Sequence, residues 1–241
     1  MTVAVIGYGR FGRLLAHALK RHADVGVVDT RHRIRLEQGV ERISLAEAAE
    51  REIIFLAVPV RSLRTVLTDL APRLRPGAIV ADVCAVKEEP LKWMREILPR
   101  NVSFIGTHPL FGPDSAGLTL SGNSIVLCAG RISREKLRTL RRLFSQLGLT
   151  SHLMSPEAHD RQIAATLFVT QFLGRSLGRI PMGRSAVATP NARALHRMID
   201  ASLHDSRELF EDLFRYNQHT RLLPARLLKE LKRTLKLLPP R

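Results

Sequence analysis

The stretch "TVAVIGYGRFGRLLAHALKRHADVGVVDT", Thr2 to Thr30, decides the architecture. Its first six residues, Thr2–Gly7, are a short apolar, β-branched run, and "FGRLLAHALKRH" follows with helical periodicity. A second apolar run, Asp24–Asp29, ends on an acid. Between the first strand and the helix sits Gly7-Tyr8-Gly9-Arg10-Phe11-Gly12, a G-x-G-x-x-G pattern. Alone such a pattern is weak. A strand before it, a helix after it and an acid about 20 residues on give it physical content. Gly7 makes the turn, Gly9 lets the backbone approach a pyrophosphate, and Gly12 permits close packing of helix on strand. The unpaired N–H groups at the helix start then face the anion.

The same alternation continues outward from this unit. Strand-like runs recur at Ile53–Val58, Ala78–Val83, Val102–Gly106 and Asn123–Ala129, and a last short one lies near Leu149–Met154. Helical stretches such as "VRSLRTVLTDLAPRL" and "EEPLKWMREIL" separate most of them. Continuous apolar strands separated by helices predict a doubly wound parallel sheet covered on both faces, the nucleotide-binding form of α/β protein. "SPEAHD" then reads as a helix start, with Ser155 as N-cap and Pro156 at the first helical position. From there the pattern is helical, interrupted by a Pro/Gly/Ser loop over Pro181–Asn191. Leu195, Ile199, Leu203, Leu209, Leu213 and Phe214 fall near one face. The predicted boundary therefore separates residues 1–154 from 155–241. So short a helical half is thin for an independent core, and packing against a second copy is expected.

Composition narrows the function. The chain has 241 residues, an ordinary 45% apolar content, and 38 Lys+Arg against 22 Asp+Glu, a formal +16. The basic residues are spread along helical faces. The nine Phe, two Tyr and one Trp form no base-stacking pattern, so nucleic acid is not the expected partner. No apolar run reaches the roughly 18 residues of a membrane span. The N-terminus lacks the basic region and cleavage site of a signal peptide. Cys84 and Cys128 lie far apart in apolar segments, as buried reduced thiols of a cytoplasmic protein, with no metal-ligand spacing. The last stripe, Leu227/Leu228, Leu231, Leu235 and Leu238, opposes Lys and Arg on a packing helix, with a membrane-surface helix as the alternative.

Ligands of an open parallel sheet bind beyond the carboxyl ends of its strands. "AVPV" with Val58 and Pro59, "ADVCAVK", and "GTHPLFGP" with Thr107 and His108 all end strands on the rim of the glycine loop. Asp29 can accept from a ribose 2′-OH, and its charge opposes a 2′-phosphate, which favours NAD. Thr30 adjoins it, and Arg31 and Arg33 follow as groups able to hold a 2′-phosphate, so NADP stays open. Alcohol oxidation needs a base for the hydroxyl proton, and neutral histidine suits that work near pH 7. His108 is the expected base, whereas His17, His22 and His32 fall on helix or turn positions without polar company.

In order along the chain, "AVIGYGRFG", "FLAVPV", "DVCAVKEEP", "GTHPLFGPDSAG", "SPEAHDRQIAATLFVTQFLGR" and "LFEDLFRYN" resemble the prephenate/arogenate dehydrogenases of tyrosine biosynthesis, the plant-type arogenate enzymes above all. The resemblance implies a Rossmann-like domain followed by an all-helical dimerisation and substrate domain, and a homodimer. It implies NAD(P)-dependent oxidative decarboxylation of a cyclohexadienyl acid, with His108 taking the 4-hydroxyl proton. Thr107, Gln171, Arg175 and Arg193 are the expected substrate contacts; no metal is implied. The chain departs from the family at Ala85, where many members have serine, and at Gln171, where many have histidine. A dehydrogenase for a related ring acid, an imine or keto-acid reductase, and a non-catalytic NAD-binding protein are the alternatives.

Overall fold

The computed structural model describes residues 1–31, 34–117, 119–183 and 186–239. They form two compact units, Met1–His159 and Asp160–Arg241. The division falls inside the helix that Ser155 opens, whose hydroxyl accepts from the Ala158 amide at 3.1 Å.

The first unit is built on one eight-stranded sheet. In chain order its strands are β1 (Thr2–Ile6), β2 (Asp24–Val28), β3 (Val40–Arg42), β4 (Ile53–Leu56), β5 (Ile79–Asp82), β6 (Ser103–Pro109), β7 (Ser124–Ala129) and β8 (Thr150–Leu153). Their order across the sheet is β3-β2-β1-β4-β5-β6-β7-β8. Helices α1 (Arg10–Leu19), α2 (Leu45–Ala49), α3 (Val60–Leu70), α4 (Glu88–Ile97) and α5 (Arg134–Gln146) make the crossovers. Alternation of side chains along a strand gives each strand two apolar faces here. Val3, Val5, Phe55, Ile79 and Ile105 share a core with Leu15 and Leu19 of α1 and Leu140, Leu143 and Phe144 of α5. The intervening Ala4, Ile54, Leu56, Val80 and Phe104 are equally buried, as are Leu63 and Leu67 of α3 and Leu91 and Met94 of α4.

Two features depart from the sequence reading. β3 is an added edge strand in which only Val40 is buried, too short to give a periodic signal. β7 runs antiparallel to β6, with His108 opposite Val126, and the described residues between Pro109 and Ser124 hold no helix. β8 then pairs parallel with β7.

The second unit is helical. α6 (Pro156–Ile163), which bridges the division, passes through a π-turn at Ala164–Phe168 into α7 (Val169–Leu177). α8 (Pro190–His204), α9 (Arg207–Tyr216) and α10 (Leu223–Leu235) follow. Thr189 and Ser206 cap α8 and α9 by accepting from Ala192 and Leu209 amides at 3.2 and 3.1 Å. The ring of Phe168 stacks on Phe210 and Phe214 at 5.7 and 5.8 Å. Ile199 and Leu213 are buried as the periodicity predicts, but Leu195, Leu203 and Phe214 are exposed on this unit. α10 buries none of its residues, and Leu222, Leu228, Leu231, Leu235 and Leu238 are all more than half exposed. Among the described residues no helix is long and apolar enough to cross a membrane.

Candidate active site

The glycine loop has the shape its three glycines require. Gly7 closes the turn at φ +98°, and a Cβ there would stand 2.9 Å from the Ala57 carbonyl carbon. A Cβ on Gly12 would stand 2.9 Å from the Gly7 carbonyl carbon, so the helix could not approach the turn. Gly9 differs: a Cβ built on it meets nothing within 4 Å. It occupies the N-cap of α1, and no side chain caps that end. The open space lies where backbone amides await an acceptor, which fits a dinucleotide pyrophosphate. Tyr8, between two of the glycines, is held from both sides. Its ring is buried beneath the Arg13 guanidinium, 5.4 Å from the ring centre, and its amide donates to Asp29 Oδ2 at 2.7 Å.

Asp29 follows the last residue of β2, and its carboxylate is already engaged. Arg31 donates to it from Nε and Nη2, both at 2.8 Å, and from its backbone amide at 2.9 Å. The Arg31 bonds above all hold this carboxyl well below the usual carboxylate range, against the opposing effect of burial. Arg31 Nη2 also donates to the Tyr8 carbonyl at 2.8 Å. Arg42 joins from β3, donating to the carbonyls of Asp29 and Arg31 at 3.0 and 2.8 Å. The sequence reading missed Arg42 because β3 carries no clear pattern. Thr30 is exposed beside this cluster. The proposed roles of His32 and Arg33 lie outside the described residues.

The histidine turn folds against the glycine loop. Arg10 forms an ion pair with Asp114, and the Phe11 and Phe111 rings lie 6.1 Å apart. Val58 is half-buried and Pro59 exposed at the start of α3, with Cys84 Sγ 3.8 Å from the Val58 carbonyl. His108 sits near the end of β6, only 7% exposed. Its Nδ1 is 2.8 Å from Nε2 of His159, and the two rings meet edge to face. Burial first, then His159 and the Lys87 cation, push the His108 pKa well below the ordinary imidazole value. His108 is therefore a neutral imidazole at pH 7. His159 was legible only as part of a helix start; its pairing spans 51 residues.

Beneath His108 lies a polar knot. Lys87 and Asp82, both without exposed side-chain surface, form an ion pair. Lys87 Nζ donates to the Thr107 carbonyl at 2.7 Å, Thr107 Oγ1 to the Asp82 carbonyl at 2.5 Å, and the Cys84 amide to Asp82 Oδ2 at 2.9 Å. Thr107 is thus a sealed link between β5 and β6, with no exposed atom for a substrate. Both cysteines are buried.

In the second unit the residues expected to contact substrate make the following bonds within the chain. Gln171 is buried and donates to Asp205 Oδ2 at 2.5 Å. Arg175 donates to Gln171 Oε1 at 3.2 Å and to the carbonyls of Asp205 and Ser206 at 2.7 and 2.9 Å. Together they close the carboxyl end of α8. Arg193 is exposed and donates to the Ala188 carbonyl in the loop before α8. Asn217, fully buried, donates to the Asp160 carbonyl at 2.7 Å and accepts from the His219 amide at 3.0 Å. The "RYN" signature thereby gains a structural meaning. His17, expected to lack polar company, instead places Nδ1 2.7 Å from Glu37 Oε2, beside Lys20. Among the described residues no cluster of His, Cys, Asp or Glu could hold a metal.

Comparison with known proteins gives this geometry a lineage. Arogenate dehydrogenase 2, chloroplastic, of Arabidopsis thaliana is 30% identical over 231 residues, covering 90% of this chain and 64% of that protein. Cyclohexadienyl dehydrogenase of Zymomonas mobilis is 26% identical over 181 residues, covering 68% and 61%. The chain thus spans less than two thirds of the length of these relatives, and 37% of Arabidopsis arogenate dehydrogenase 1. The fold matches the crystal structure of A. aeolicus prephenate dehydrogenase in complex with hydroxyphenyl propionate and NAD+, with a TM-score of 0.75 at 19% identity over 98% of this chain and 90% of that one. Synechocystis arogenate dehydrogenase gives 0.65 at 24%, over 98% and 96%. The profile described as "Prephenate dehydrogenase, nucleotide-binding domain" matches residues 16–152, more than half of the chain. With the glycine loop, the sheet order and the histidine turn in place, the chain belongs to the prephenate dehydrogenase family.

Proposed function

We propose that this protein catalyses the NAD(P)-dependent oxidative decarboxylation of prephenate or arogenate. The observation that carries the reading is His108, a buried neutral imidazole at a strand end, backed by His159 and joined to the glycine loop by the Arg10–Asp114 and Phe11–Phe111 contacts. The bound nicotinamide would supply the hydride acceptor. Gly7, Gly9 and Gly12 shape its pyrophosphate seat, and Val58 and Pro59 border it. His108 would take the 4-hydroxyl proton of the ring acid on Nε2, while its Nδ1 stays on His159. Loss of carbon dioxide and aromatisation then make the step irreversible. Arg193 supplies an exposed cation for a substrate carboxylate, whereas Gln171 and Arg175 act by holding the end of α8.

NAD is the favoured acceptor because Asp29 stands where a free 2′-OH would be received; Arg31 and Arg42 beside it keep NADP within reach. A cytoplasmic homodimer completes the reading. The exposed leucine stripe of α10 supports association of two copies, and size-exclusion chromatography tests it. The activity is tested with purified protein, prephenate or arogenate, and NAD or NADP, following reduced nicotinamide by absorbance. Turnover with at least one combination is expected, and none with any combination overturns the proposal. In the active combination His108→Asn lowers kcat by about 10²-fold or more, as loss of a general base does.

A further inference from the structure

The buried Asp82–Lys87 pair is the feature that the reaction leaves unused. Two charges without solvent are costly, and such a pair is weak evidence for stability, because apolar residues of similar volume serve as well or better. Its placement suggests another use. Lys87 precedes α4, yet its ammonium reaches back under the sheet to the carbonyl of Thr107, the residue before His108. The path exists because Gly106 has no side chain: a Cβ there would stand 3.0 Å from Lys87 Cδ. Asp82 anchors the ammonium and is itself tied to the Cys84 amide and, through its own carbonyl, to Thr107. Asp82 Oδ1 is buried with no hydrogen-bond partner among the described residues, and the contacts of the carboxylate run through Oδ2.

We propose that Lys87 is a positioning residue for His108: anchored on Asp82, it grips the Thr107 carbonyl and sets a fixed positive charge against the imidazole, so that the ring meets its substrate as a proton acceptor. This rests on the reading of His108 as the base. The titratable and charged groups acting on that ring are His159 from α6 and Lys87, the latter paired with Asp82 from β5; β7 presents Val126. Lys87 opposes a second positive charge on His108, in the same direction as burial.

The test replaces the ammonium and reads the histidine directly. Lys87→Met strands a buried carboxylate, so the Asp82→Asn/Lys87→Met double variant is made beside it to preserve folding. Imidazole signals of histidine-labelled full-length protein are titrated by NMR, with His108→Asn assigning the resonance. The His108 midpoint is expected to rise in the folded variant. The acid limb of kcat/KM moves up with it, leaving activity at the acid end about threefold or more below wild type relative to the alkaline plateau. A His108 midpoint that coincides with wild type in the folded double variant overturns the proposal. So does a lowered plateau with an unmoved acid limb, the result of a merely structural lysine. If the wild-type protein turns over none of the ring acids, the proposed reaction fails, while the NMR titration still decides the role of Lys87.

Discussion

Replacing Gly9 and Gly12 by alanine, one at a time, separates what the loop does for the fold from what it does for a ligand. At Gly12 the added methyl collides with backbone: the Gly7 carbonyl carbon is 2.9 Å away, closer than real Cβ contacts come. No side-chain rotation relieves that overlap, so the upper end of the overpacking range applies, about 3 kcal/mol. Alanine inside α1 returns about 1 kcal/mol of helix propensity. The net loss is about 2 kcal/mol, a fall in Tm of about 4–8 °C for a protein of this length. At Gly9 the methyl meets nothing within 4 Å, and the negative φ of −72° suits alanine. Stability there changes by less than about 1 kcal/mol. The same methyl, however, fills the space at the uncapped start of α1, and NAD affinity falls by about tenfold or more, at least about 1.4 kcal/mol. Thermal unfolding and calorimetric titration with NAD measure the two effects on the same samples. Undiminished NAD binding by Gly9→Ala refutes the pyrophosphate seat, and an unshifted Tm for Gly12→Ala refutes the packing argument.

Further outcomes follow from the site and the helical unit. Asp29→Ser weakens NAD more than NADP, while Arg31→Ala weakens NADP more than NAD, each by about tenfold, read as dissociation constants for both dinucleotides. The depressed pKa of His108 makes the unfolded chain bind a proton that the native chain refuses. Its contribution is complete above pH 6.5 and is lost as pH falls below that value, by up to about 1.4 kcal/mol per pH unit until the folded pKa is passed. Denaturant unfolding across that range shows a shallower acid slope in His108→Asn than in wild type. Asn217→Ala leaves the Asp160 carbonyl without its buried donor, costs about 2 kcal/mol in thermal unfolding and leaves NAD affinity unchanged.

The glycine loop, most strands and the position of His108 were readable because each is a local pattern: an apolar run of fixed length, glycines at fixed offsets, a histidine at a strand end. What escaped was relational. β3 contributes one buried residue, Val40, and so has no period to detect. The direction of β7 is invisible in a run that reads alike both ways. Gln171 and Arg175 were expected to bind substrate because they are polar residues on a matching segment. The sequence carries no sign that the end of α8 would claim them. Lys87 did leave a trace. A charge five residues beyond Asp82, itself closing an apolar run, with Gly106 ahead of the histidine turn, is the pattern of a buried pair needing room.

The reversal of β7 has a consequence for how this protein can change. The link from β6 leaves and re-enters the sheet at one rim. The link is itself partly packed: Ala116 and Leu120 are buried in the core beside the sheet, and Asn123 Nδ2 donates to the carbonyls of both at 3.2 Å, so substitutions suit its exposed positions, such as Leu110 and Thr119. Libraries confined to the exposed positions of this one link would vary the edge of the site while the sheet that holds His108 stays fixed.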